Sequence, residues 1–408
     1  MRLYVHDYAG HAFAVELSRE LARRGHTVRH GYSSTNLTPQ GALARRADDA
    51  PSYQPDPIET RAVEKRSRSL FGLVARRRAE QEYGVAAAER VRAFKPDVVL
   101  AGNTPLDALA PIQAAARAVH AGMINWLQDV LSVGTRAVLS RKLPVVGDAV
   151  GRLYEKREGA LLRDADGVVV ITDDFRPLLD RWGVDAERVA TVENWAPLAG
   201  LPVRAQDNDW SRAHGLAGER VVLYSGTLGM KHDPRLLARL ADRLAETDPG
   251  ARVVVVSEGG GADWLAEHAP RVERFPFQPF QALPDVLATA TVLTAILEPD
   301  AGAVSVPSKV LAYLCAQRPV LLSVPTNNLA ARIVEREGAG VVVAPGDVDG
   351  FVQAGGELVH ADAGMAERRE AMAAAGRAYA ERTFDIGRVA DRFEKILDAA
   401  RETAAVAA

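Results

Sequence analysis

The fold is decided by the run Val221-Val222-Leu223-Tyr224-Ser225-Gly226-Thr227-Leu228-Gly229, in which an apolar strand enters a glycine loop just before Lys231. A second unit of this kind follows, since residues 291–296 lead through Glu298 to Val306-Pro307-Ser308-Lys309. A strand, a loop and a helix start direct free backbone N–H groups and the positive end of a helix dipole at one point, which favours an anion. Two such units on one sheet predict a nucleotide diphosphate as the ligand.

Short apolar strands alternate with longer amphipathic helices along nearly the whole chain, which is typical of parallel sheets with helices on both faces. Strands are predicted at 3–6, 27–30, 97–101, 123–127, 167–171 and 189–192, and then at 221–224, 253–256, 292–296, 320–322 and 341–343. The predicted fold class is therefore α/β, with two doubly wound, Rossmann-like domains that face a cleft. Ligands of such sheets bind beyond the carboxyl ends of the strands.

The chain of 408 residues is too long for one ordinary core, so two domains are expected. Residues 193–217 contain two prolines and little apolar periodicity, which is typical of a linker. We predict an N-terminal domain at 1–195, a linker at 196–217 and a second domain at 218–383. A C-terminal helix at 384–408 is expected to pack back on the N-terminal domain.

Composition indicates a globular protein, with 48% apolar residues, 25% charged residues and a net charge of −3. A nearly neutral charge argues against nucleic acid as a partner. Residues 1–7 turn polar too early for a signal peptide, and no apolar run reaches the roughly 18 residues that could span a membrane. The single cysteine, Cys315, excludes an internal disulfide and is interpreted as a buried thiol. We expect a cytoplasmic protein.

With these residues in place, the chain resembles the GT-B-fold glycosyltransferases of family four, and in particular the bacterial branch that assembles surface polysaccharides. The resemblance rests on Tyr224-Ser225-Gly226, Gly229, Lys231, Val306-Pro307-Ser308-Lys309, Arg318-Pro319-Val320, Gln128-Asp129, Val170-Ile171-Thr172, Glu193-Asn194-Trp195 and the glycine loop near Gly10. It implies transfer of a sugar, with retention, from a nucleoside diphosphate to a hydroxyl of a glycan, a lipid-linked or a small-molecule acceptor. The C-terminal domain would bind the donor and the N-terminal domain the acceptor.

The resemblance and the predicted loops together define the candidate site. Lys231 and Lys309 would meet the donor phosphates, because a lysine at a helix N-terminus is unfavourable unless an anion lies beside it. The candidate donor-binding residues are Gly226, Thr227, Lys231, Glu258, Gly302, Ala303, Val304, Ser305, Ser308 and Lys309. The acceptor-side candidates are Gly10 and Gln128, and the catalytic candidates are Asp129, Glu298 and His11.

Two positions depart from the family. Gly302 and Ala312 stand where its two glutamates are expected, and Glu298, which ends the same strand, is the candidate to replace the first. Asp129 has two interpretations, because a strand-end aspartate can accept a hydrogen bond or a proton from the acceptor, or it can cap the next helix.

No Asp-x-Asp triplet ends a predicted strand, so no metal is expected to bridge the diphosphate. The two lysines would replace the metal as the positive charges beside the diphosphate. No cofactor is expected beyond the nucleoside-diphosphate sugar itself. Two alternatives share the architecture. One is a sugar-nucleotide 2-epimerase, which needs several acid–base groups, and the other is a noncatalytic nucleotide-sugar-binding subunit.

The segment from Arg61 to Arg78 contains seven basic residues, one acid and the apolar insert Leu70, Phe71, Leu73 and Val74. Basic residues that flank apolar ones favour the surface of an anionic membrane. The alternative is an ordinary solvated helix face. The first interpretation predicts peripheral association at the inner face of the membrane.

Overall fold

The computed structural model describes residues 1–35, 40–60, 70–142, 144–229, 232–299 and 306–407. The chain forms two compact units, one of Met1–Glu193 with Ile386–Ala408 and one of Asn194–Asp385. The chain therefore crosses from one unit to the other at residues 193–194 and again at 385–386.

The first unit contains, within the described residues, a seven-stranded parallel sheet in the order β3-β2-β1-β4-β5-β6-β7. Its strands are β1 (Arg2–Asp7), β2 (Thr27–Ser33), β3 (Tyr53–Ile58), β4 (Val98–Gly102), β5 (Gly122–Leu127), β6 (Gly167–Val170) and β7 (Val189–Thr191). Strands β4, β5 and β6 are buried along their whole length. Continuous apolar runs are what a parallel sheet covered on both faces requires.

The helices of this unit are α1 (Ala12–Arg23), α2 (Leu70–Phe94), α3 (Leu106–Ala118), α4 (Leu131–Lys142), α5 (Pro144–Arg163), α6 (Arg176–Arg181) and α15 (Ile386–Ala407). Helix α15 comes from the far end of the chain and packs on β5. The ring of Phe393 lies 4.9 Å from that of Trp126, and Arg24 at the end of α1 forms ion pairs with Asp391 and Glu394. The last helix therefore completes the core of the first unit.

The second unit contains, again within the described residues, a six-stranded parallel sheet in the order β10-β9-β8-β11-β12-β13. Its strands are β8 (Arg220–Ser225), β9 (Ala251–Val256), β10 (Val272–Phe275), β11 (Val292–Ile296), β12 (Val320–Ser323) and β13 (Gly340–Val343). Its helices are α7 (Asp209–Ala213), α8 (Arg235–Thr247), α9 (Gly260–His268), α10 (Leu283–Ala288), α11 (Lys309–Cys315), α12 (Leu329–Glu337), α13 (Val348–Val359) and α14 (Ala363–Thr383). Cys315 is buried, as predicted.

Two strands were not predicted from the sequence, and both lie at the edge of a sheet. Strand β3 contains Pro55 and Pro57 and pairs only with β2. Proline cannot donate to a ladder and is tolerated at an edge, where one side of the strand needs no partner. Strand β10 has four residues and includes Glu273 and Arg274. Its charged residues fit an edge position, where they also discourage pairing with another chain.

Residues 196–217, predicted as a linker, lie in the second unit and pack against it. The Asn208 side chain donates to the backbone oxygens of Ala205 and Asp285. The Gln206 amide donates to the backbone oxygen of Glu219, and Trp210 is buried. The polar composition that suggested a linker reflects side chains that satisfy buried backbone groups.

In a parallel sheet, the loops that follow the strands gather at one edge, and this places the candidate residues. Gly10, His11, Gln128 and Asp129 follow β1 and β5 of the first unit. Gly226, Thr227, Glu258 and Glu298 follow β8, β9 and β11 of the second. Over the part of the chain that the structure describes, no helix combines the length and apolar character needed to cross a membrane.

Candidate functional site

Lys309, the first residue of α11, lies against the loop that follows β8. Its ammonium nitrogen donates hydrogen bonds to the hydroxyl of Tyr224 and, at 3.3 Å, to the backbone oxygen of Thr227. It lies 4.1 Å from the centre of the Tyr224 ring. The structure thus brings Gly226, Thr227 and Lys309 together.

Gly226 is required where it stands. Its φ of +130° is rare for residues with a side chain, and a Cβ there would lie 3.1 Å from Cε of Lys309. Its N–H donates to the backbone oxygen of Val256 on β9 at 3.0 Å. A bare backbone at this point lets the lysine approach the loop closely.

Two tyrosines hold the loop and the lysine in place. The Tyr313 hydroxyl on α11 accepts from the N–H of Ser225 at 3.0 Å and donates to its carbonyl oxygen at 2.9 Å. The Tyr224 hydroxyl donates to the backbone oxygen of Thr227 at 2.8 Å. Burial raises the pKa of both hydroxyls, so they stay neutral. The sequence indicated Tyr224 as part of the loop motif but gave neither hydroxyl a role, because their contacts depend on the packing of α11 against β8.

Lys309 has no acidic partner among the described residues, which leave out residues 300–305. Among the residues that the structure describes, no carboxylate forms an ion pair with it, and its hydrogen-bond partners are both neutral. Burial lowers the pKa of Lys309 to about 7. An ammonium group held without a counter-charge is stabilised by an anion that enters the same space.

The other predicted donor-binding residues divide into three groups. Ser308 precedes α11 and is exposed, and its side chain makes no capping hydrogen bond. Glu258 is exposed and accepts from the N–H of Phe277 at 3.1 Å, so the β9 loop is linked to the segment after β10. Lys231, Gly302, Ala303, Val304 and Ser305 lie outside the described residues.

Glu298 is half-buried at the end of β11 and lines a cavity of about 620 Å³. The start of α8 contributes Arg235 and Arg239 to this cavity, and the ends of β12 and β13 contribute Ser323 and Gly346. Arg235 pairs with Asp233 at 2.8 Å. A space of this size admits a sugar, and it contains cations as well as the predicted carboxylate.

In the first unit, His11 forms a pair with Asp7, which the sequence analysis had not singled out. The carboxylate of Asp7 ends β1 and accepts from Nδ1 of His11 at 3.1 Å and from the His11 backbone N–H. Burial alone would raise the pKa of Asp7, but His11 lowers it below its ordinary value. Burial alone would lower the pKa of His11, but Asp7 and, more weakly, Asp129 raise it.

The pair therefore favours a charged imidazolium beside a buried carboxylate. Asp129 is also close enough to His11 to stabilise the charged form electrostatically. Such an imidazolium can donate a hydrogen bond or a proton, and the half-buried Asp129 side chain offers oxygens that can accept a hydrogen bond. Asp7 could have been suspected from the sequence, because it is an acidic residue at the carboxyl end of an apolar strand.

Gly10 is buried with a φ of +70°, and a Cβ there would lie 2.8 Å from Leu43. The positive φ and the nearby Leu43 side chain therefore account for glycine at this position without a ligand. Gln128 and Asp129 line a cavity of only about 30 Å³, together with Asn103 and the buried Glu158. That volume holds a water molecule and excludes a sugar.

Among the described residues, no three His, Cys, Asp or Glu side chains are grouped as metal ligands would be.

Two family models match separate parts of the chain. Residues 10–195 match the glycosyl transferase 4-like domain, and residues 219–361 match the glycosyl transferases group 1 model. The two matched ranges follow each other along the chain and leave residues 196–218 between them.

Two bacterial proteins illustrate the likeness in sequence. WcaI of Escherichia coli, a glycosyl transferase named for colanic acid biosynthesis, is 25% identical over 312 residues, which cover 74% of each chain. WbjE of Pseudomonas aeruginosa, named as a glycosyltransferase, is 24% identical over 266 residues, which cover 63% of this chain and 64% of WbjE.

Solved structures show the same fold. The crystal structure of Anabaena HepE in complex with UDP and glucose has a TM-score of 0.69 at 14% identity, and the match covers 98% of this chain and 99% of HepE. Sucrose-phosphate synthase from Thermosynechococcus elongatus has a TM-score of 0.73 at 14% identity, with 97% and 98% covered. The predicted fold class, α/β of the GT-B type, is confirmed.

Proposed function

Since this chain belongs to the GT-B-fold glycosyltransferases of family four, we propose that it transfers a sugar from a nucleoside diphosphate to an acceptor hydroxyl with retention and without a metal. The second unit would bind the donor and the first unit the acceptor. Anabaena HepE, which shares the fold, was crystallised with UDP-glucose, and this supports a nucleotide sugar as the donor.

The observation that carries the proposal is the Lys309 ammonium, which has no carboxylate partner among the described residues and lies beside the bare backbone of Gly226. A diphosphate at this point supplies the missing anion, and the bare backbone leaves room for its oxygens. As the bond to the sugar breaks, negative charge grows on the departing diphosphate. A fixed cation that meets this growing charge lowers the barrier, so Lys309 would act on the leaving group. Lys231 would add a second cation.

In the first unit, Asp129 would accept the hydroxyl proton of the acceptor, and the charged His11 would donate a hydrogen bond to the sugar or the acceptor. Glu298, on the cavity at the end of β11, would accept hydrogen bonds from the sugar hydroxyls. The acceptor would be a glycan or a lipid-linked glycan of a surface polysaccharide. The likeness to WcaI, which is named for colanic acid biosynthesis, supports this choice.

A panel of UDP-, GDP- and dTDP-sugars tests the reaction. Release of free nucleoside diphosphate that depends on an added acceptor supports transfer. A changed sugar that keeps its nucleotide would indicate an epimerase, and binding without either product would indicate a noncatalytic subunit. Equal rates with and without a strong chelator are expected for a metal-independent enzyme.

Calorimetric titration tests the phosphate site itself. Lys309→Ala and Lys231→Ala should each weaken a nucleoside diphosphate by roughly ten- to hundred-fold, since a hydrogen bond to a charged group contributes about 1.5–3 kcal/mol. The free nucleoside has no phosphate to contact the lysines, so its affinity should be the same in the variants as in the wild type. If both lysines hold one diphosphate, the double variant should fall short of additivity. Unchanged diphosphate affinity in both single variants would reject the site.

A further inference from the structure

Helices α4 and α5 form an antiparallel hairpin that leaves the carboxyl end of β5. At its base, the Glu158 carboxylate on α5 accepts from the backbone N–H groups of Leu131 and Ser132 at 3.2 and 3.0 Å. Farther out, Arg136 on α4 pairs with Asp148 on α5 at 2.7 Å. The first half of α5 therefore runs along α4, and its second half continues toward β6.

Two glycines determine which side of α5 meets α4. A Cβ at Gly147 would lie 2.2 Å from the backbone oxygen of Leu139, and one at Gly151 would lie 2.3 Å from Cγ of Arg136. These glycines are four residues apart and so lie on the same side of the helix. Close helix contact is thus made by the side of α5 that has almost no side chains.

An apolar stripe lies on another side of α5. It consists of Val145, Val146, Val150 and Leu153, which are 84%, 61%, 37% and 64% exposed. At 100° per residue, these four positions occupy a sector of about 140° that is centred nearly opposite the two glycines. The apolar side of this half of α5 therefore faces away from its partner helix. In a hairpin surrounded by water, the apolar sides of the two helices would instead face each other. Clustered exposed apolar residues mark an interaction surface.

The start of α2 lies beside the hairpin. Asp107 at the start of α3 is buried and accepts from Tyr154 at 3.1 Å and Arg157 at 2.5 Å on α5, and it pairs with Arg77 on α2 at 3.5 Å. Val74, which is 68% exposed, lies about one turn before Arg77. The starts of α2 and α5 thus both project past the start of α3, at the carboxyl edge of the sheet.

The predicted membrane segment, from Arg61 to Arg78, is only partly described. Residues 61–69 lie outside the described range. Arg76, Arg77 and Arg78 pair with Glu80, Asp107 and Glu82. Within the described residues, this segment has one large exposed apolar side chain, Val74, and the hairpin has four, which favours the hairpin as the main contact.

The hairpin is basic although the whole protein is acidic. Residues 131–163 contain seven Lys or Arg and three Asp or Glu, a net charge of +4 in a chain whose net charge is −3. Arg152 and Lys156 are exposed on the helix that carries the apolar stripe. Arg152 also pairs with Asp148 at 2.8 Å, but an exposed ion pair of this kind contributes little to stability and leaves the guanidinium able to turn to a phosphate. Exposed apolar side chains that alternate with cations suit the boundary between lipid chains and anionic headgroups.

We propose that the α4–α5 hairpin docks on the surface of an anionic lipid bilayer, with the apolar stripe among the headgroups and with Arg152 and Lys156 against lipid phosphates. Because α4 begins two residues after Asp129, docking brings the carboxyl edge of the first sheet to the lipid surface. That position suits a lipid-linked acceptor and so deepens the proposed function. The docking does not depend on sugar transfer, so the two can fail separately.

Vesicle sedimentation tests the docking without any sugar substrate. Wild-type protein should sediment with phosphatidylglycerol–phosphatidylcholine vesicles and not with phosphatidylcholine alone, and high salt should weaken the binding. The triple variant Val145→Asp, Val146→Asp, Leu153→Asp should lose roughly tenfold or more in partition. Val406→Asp is the matched control, because it makes the same change at a 91% exposed valine at the end of α15.

All four positions are exposed, so the variants should keep the melting temperature and the nucleoside diphosphate affinity of the wild type. Absence of wild-type sedimentation at low salt would overturn the proposal, and so would equal losses in the triple variant and in Val406→Asp. Sedimentation velocity measures whether the protein self-associates through the apolar stripe. Self-association that the triple variant abolishes would assign the stripe to a second copy of the chain and overturn the bilayer.

Discussion

The ammonium group of Lys309 lies 4.1 Å from the centre of the Tyr224 ring and donates to its hydroxyl. The ring and two neutral hydrogen-bond acceptors are the partners of this half-buried ammonium among the described residues, and no described carboxylate pairs with it. Tyr224 is on β8 and Lys309 begins α11, so the contact depends on the packing of two elements distant in sequence. This contact leads to one prediction about proton uptake, one about the pH dependence of folding and one about Gly226.

Lys309 should take up a proton when a nucleoside diphosphate binds at pH 8. Its pKa of about 7 leaves it largely neutral in the free protein, and an adjacent anion raises that pKa. Uptake should approach one proton per ligand, measured by calorimetric titration in buffers of different ionisation enthalpy. Lys309→Met should abolish it, whereas Lys395→Met, at an exposed lysine of α15, should leave it unchanged. Equal uptake in the wild type and in Lys309→Met would exclude Lys309 as the group that gains the proton.

The pH dependence of folding should also change in Lys309→Met. The pKa of Lys309 is lower in the folded state than its ordinary value of 10.5, so burying the charged form costs stability at low pH. That cost is fully present below pH 7 and fades as the pH rises toward 10.5. The variant should therefore gain more in melting temperature at pH 6 than at pH 10. A gain that is independent of pH would mean that the lysine is not held in a buried, charged form.

Gly226→Ala should weaken nucleotide binding beyond its effect on folding. The substitution forces an L-residue to a φ of +130° and places a Cβ 3.1 Å from Cε of Lys309. Gly215→Ala is the matched control, because Gly215 also has a positive φ, of +67°, but nothing lies within 4 Å of its Cβ position. Both should lose about 1 kcal/mol or more of stability in denaturant unfolding. Only Gly226→Ala should lower the diphosphate affinity, and a matching loss in Gly215→Ala would assign the effect to backbone strain alone.

The inner strands could be predicted from the sequence because they depend on local patterns. Strands β4 and β6 are continuous apolar runs, Gly226 follows the apolar strand β8, and Lys309 begins α11. The edge strands β3 and β10 could not, because Pro55, Pro57 and the charged residues of β10 contradict strand propensity, and only their position at an edge permits them.

Side-chain partnerships were the part of the site that the sequence did not reveal. His11 was a candidate from its loop, but its partner Asp7 belongs to the preceding strand, and the pair exists because the turn at Gly10 brings them together. Similarly, the hydroxyls of Tyr224 and Tyr313 lie within apolar segments that indicate only core packing. Their hydrogen bonds follow from tertiary contacts that periodicity does not encode.

Asp7→Asn should lower the pKa of His11. Asp7 is the stronger of the two carboxylates that raise this pKa, so Asp129→Asn should lower it by a smaller amount. Histidine ring signals followed by NMR across pH, assigned with His11→Gln, measure both shifts. A larger shift in Asp129→Asn would reverse the assignment of the pair.

The Asp7–His11 pair should also shape the stability curve. The folded-state pKa of Asp7 is lowered from 3.8, so its contribution is lost as the pH falls through that folded value. The folded-state pKa of His11 is raised from 6.5, so its contribution is lost as the pH rises through that folded value. The stability difference between wild type and Asp7→Asn should therefore be largest between about pH 4 and pH 6.5, as measured by denaturant unfolding. A difference that is constant from pH 3 to pH 9 would contradict the pair.

Asp129→Asn should reduce turnover while donor binding and folding survive. The side chain is half-buried at the carboxyl end of β5, and asparagine keeps its size and most of its hydrogen bonding but cannot accept a proton. General base catalysis contributes roughly 10²- to 10⁴-fold, so a loss in that range is expected in acceptor-dependent release of nucleoside diphosphate. Asp173→Asn is the matched control, because Asp173 follows the neighbouring strand β6 and pairs with Arg176 at 2.8 Å. It should change turnover only slightly. If Asp129→Asn instead lowers donor affinity and melting temperature together, Asp129 caps the start of α4 and the proton must go elsewhere.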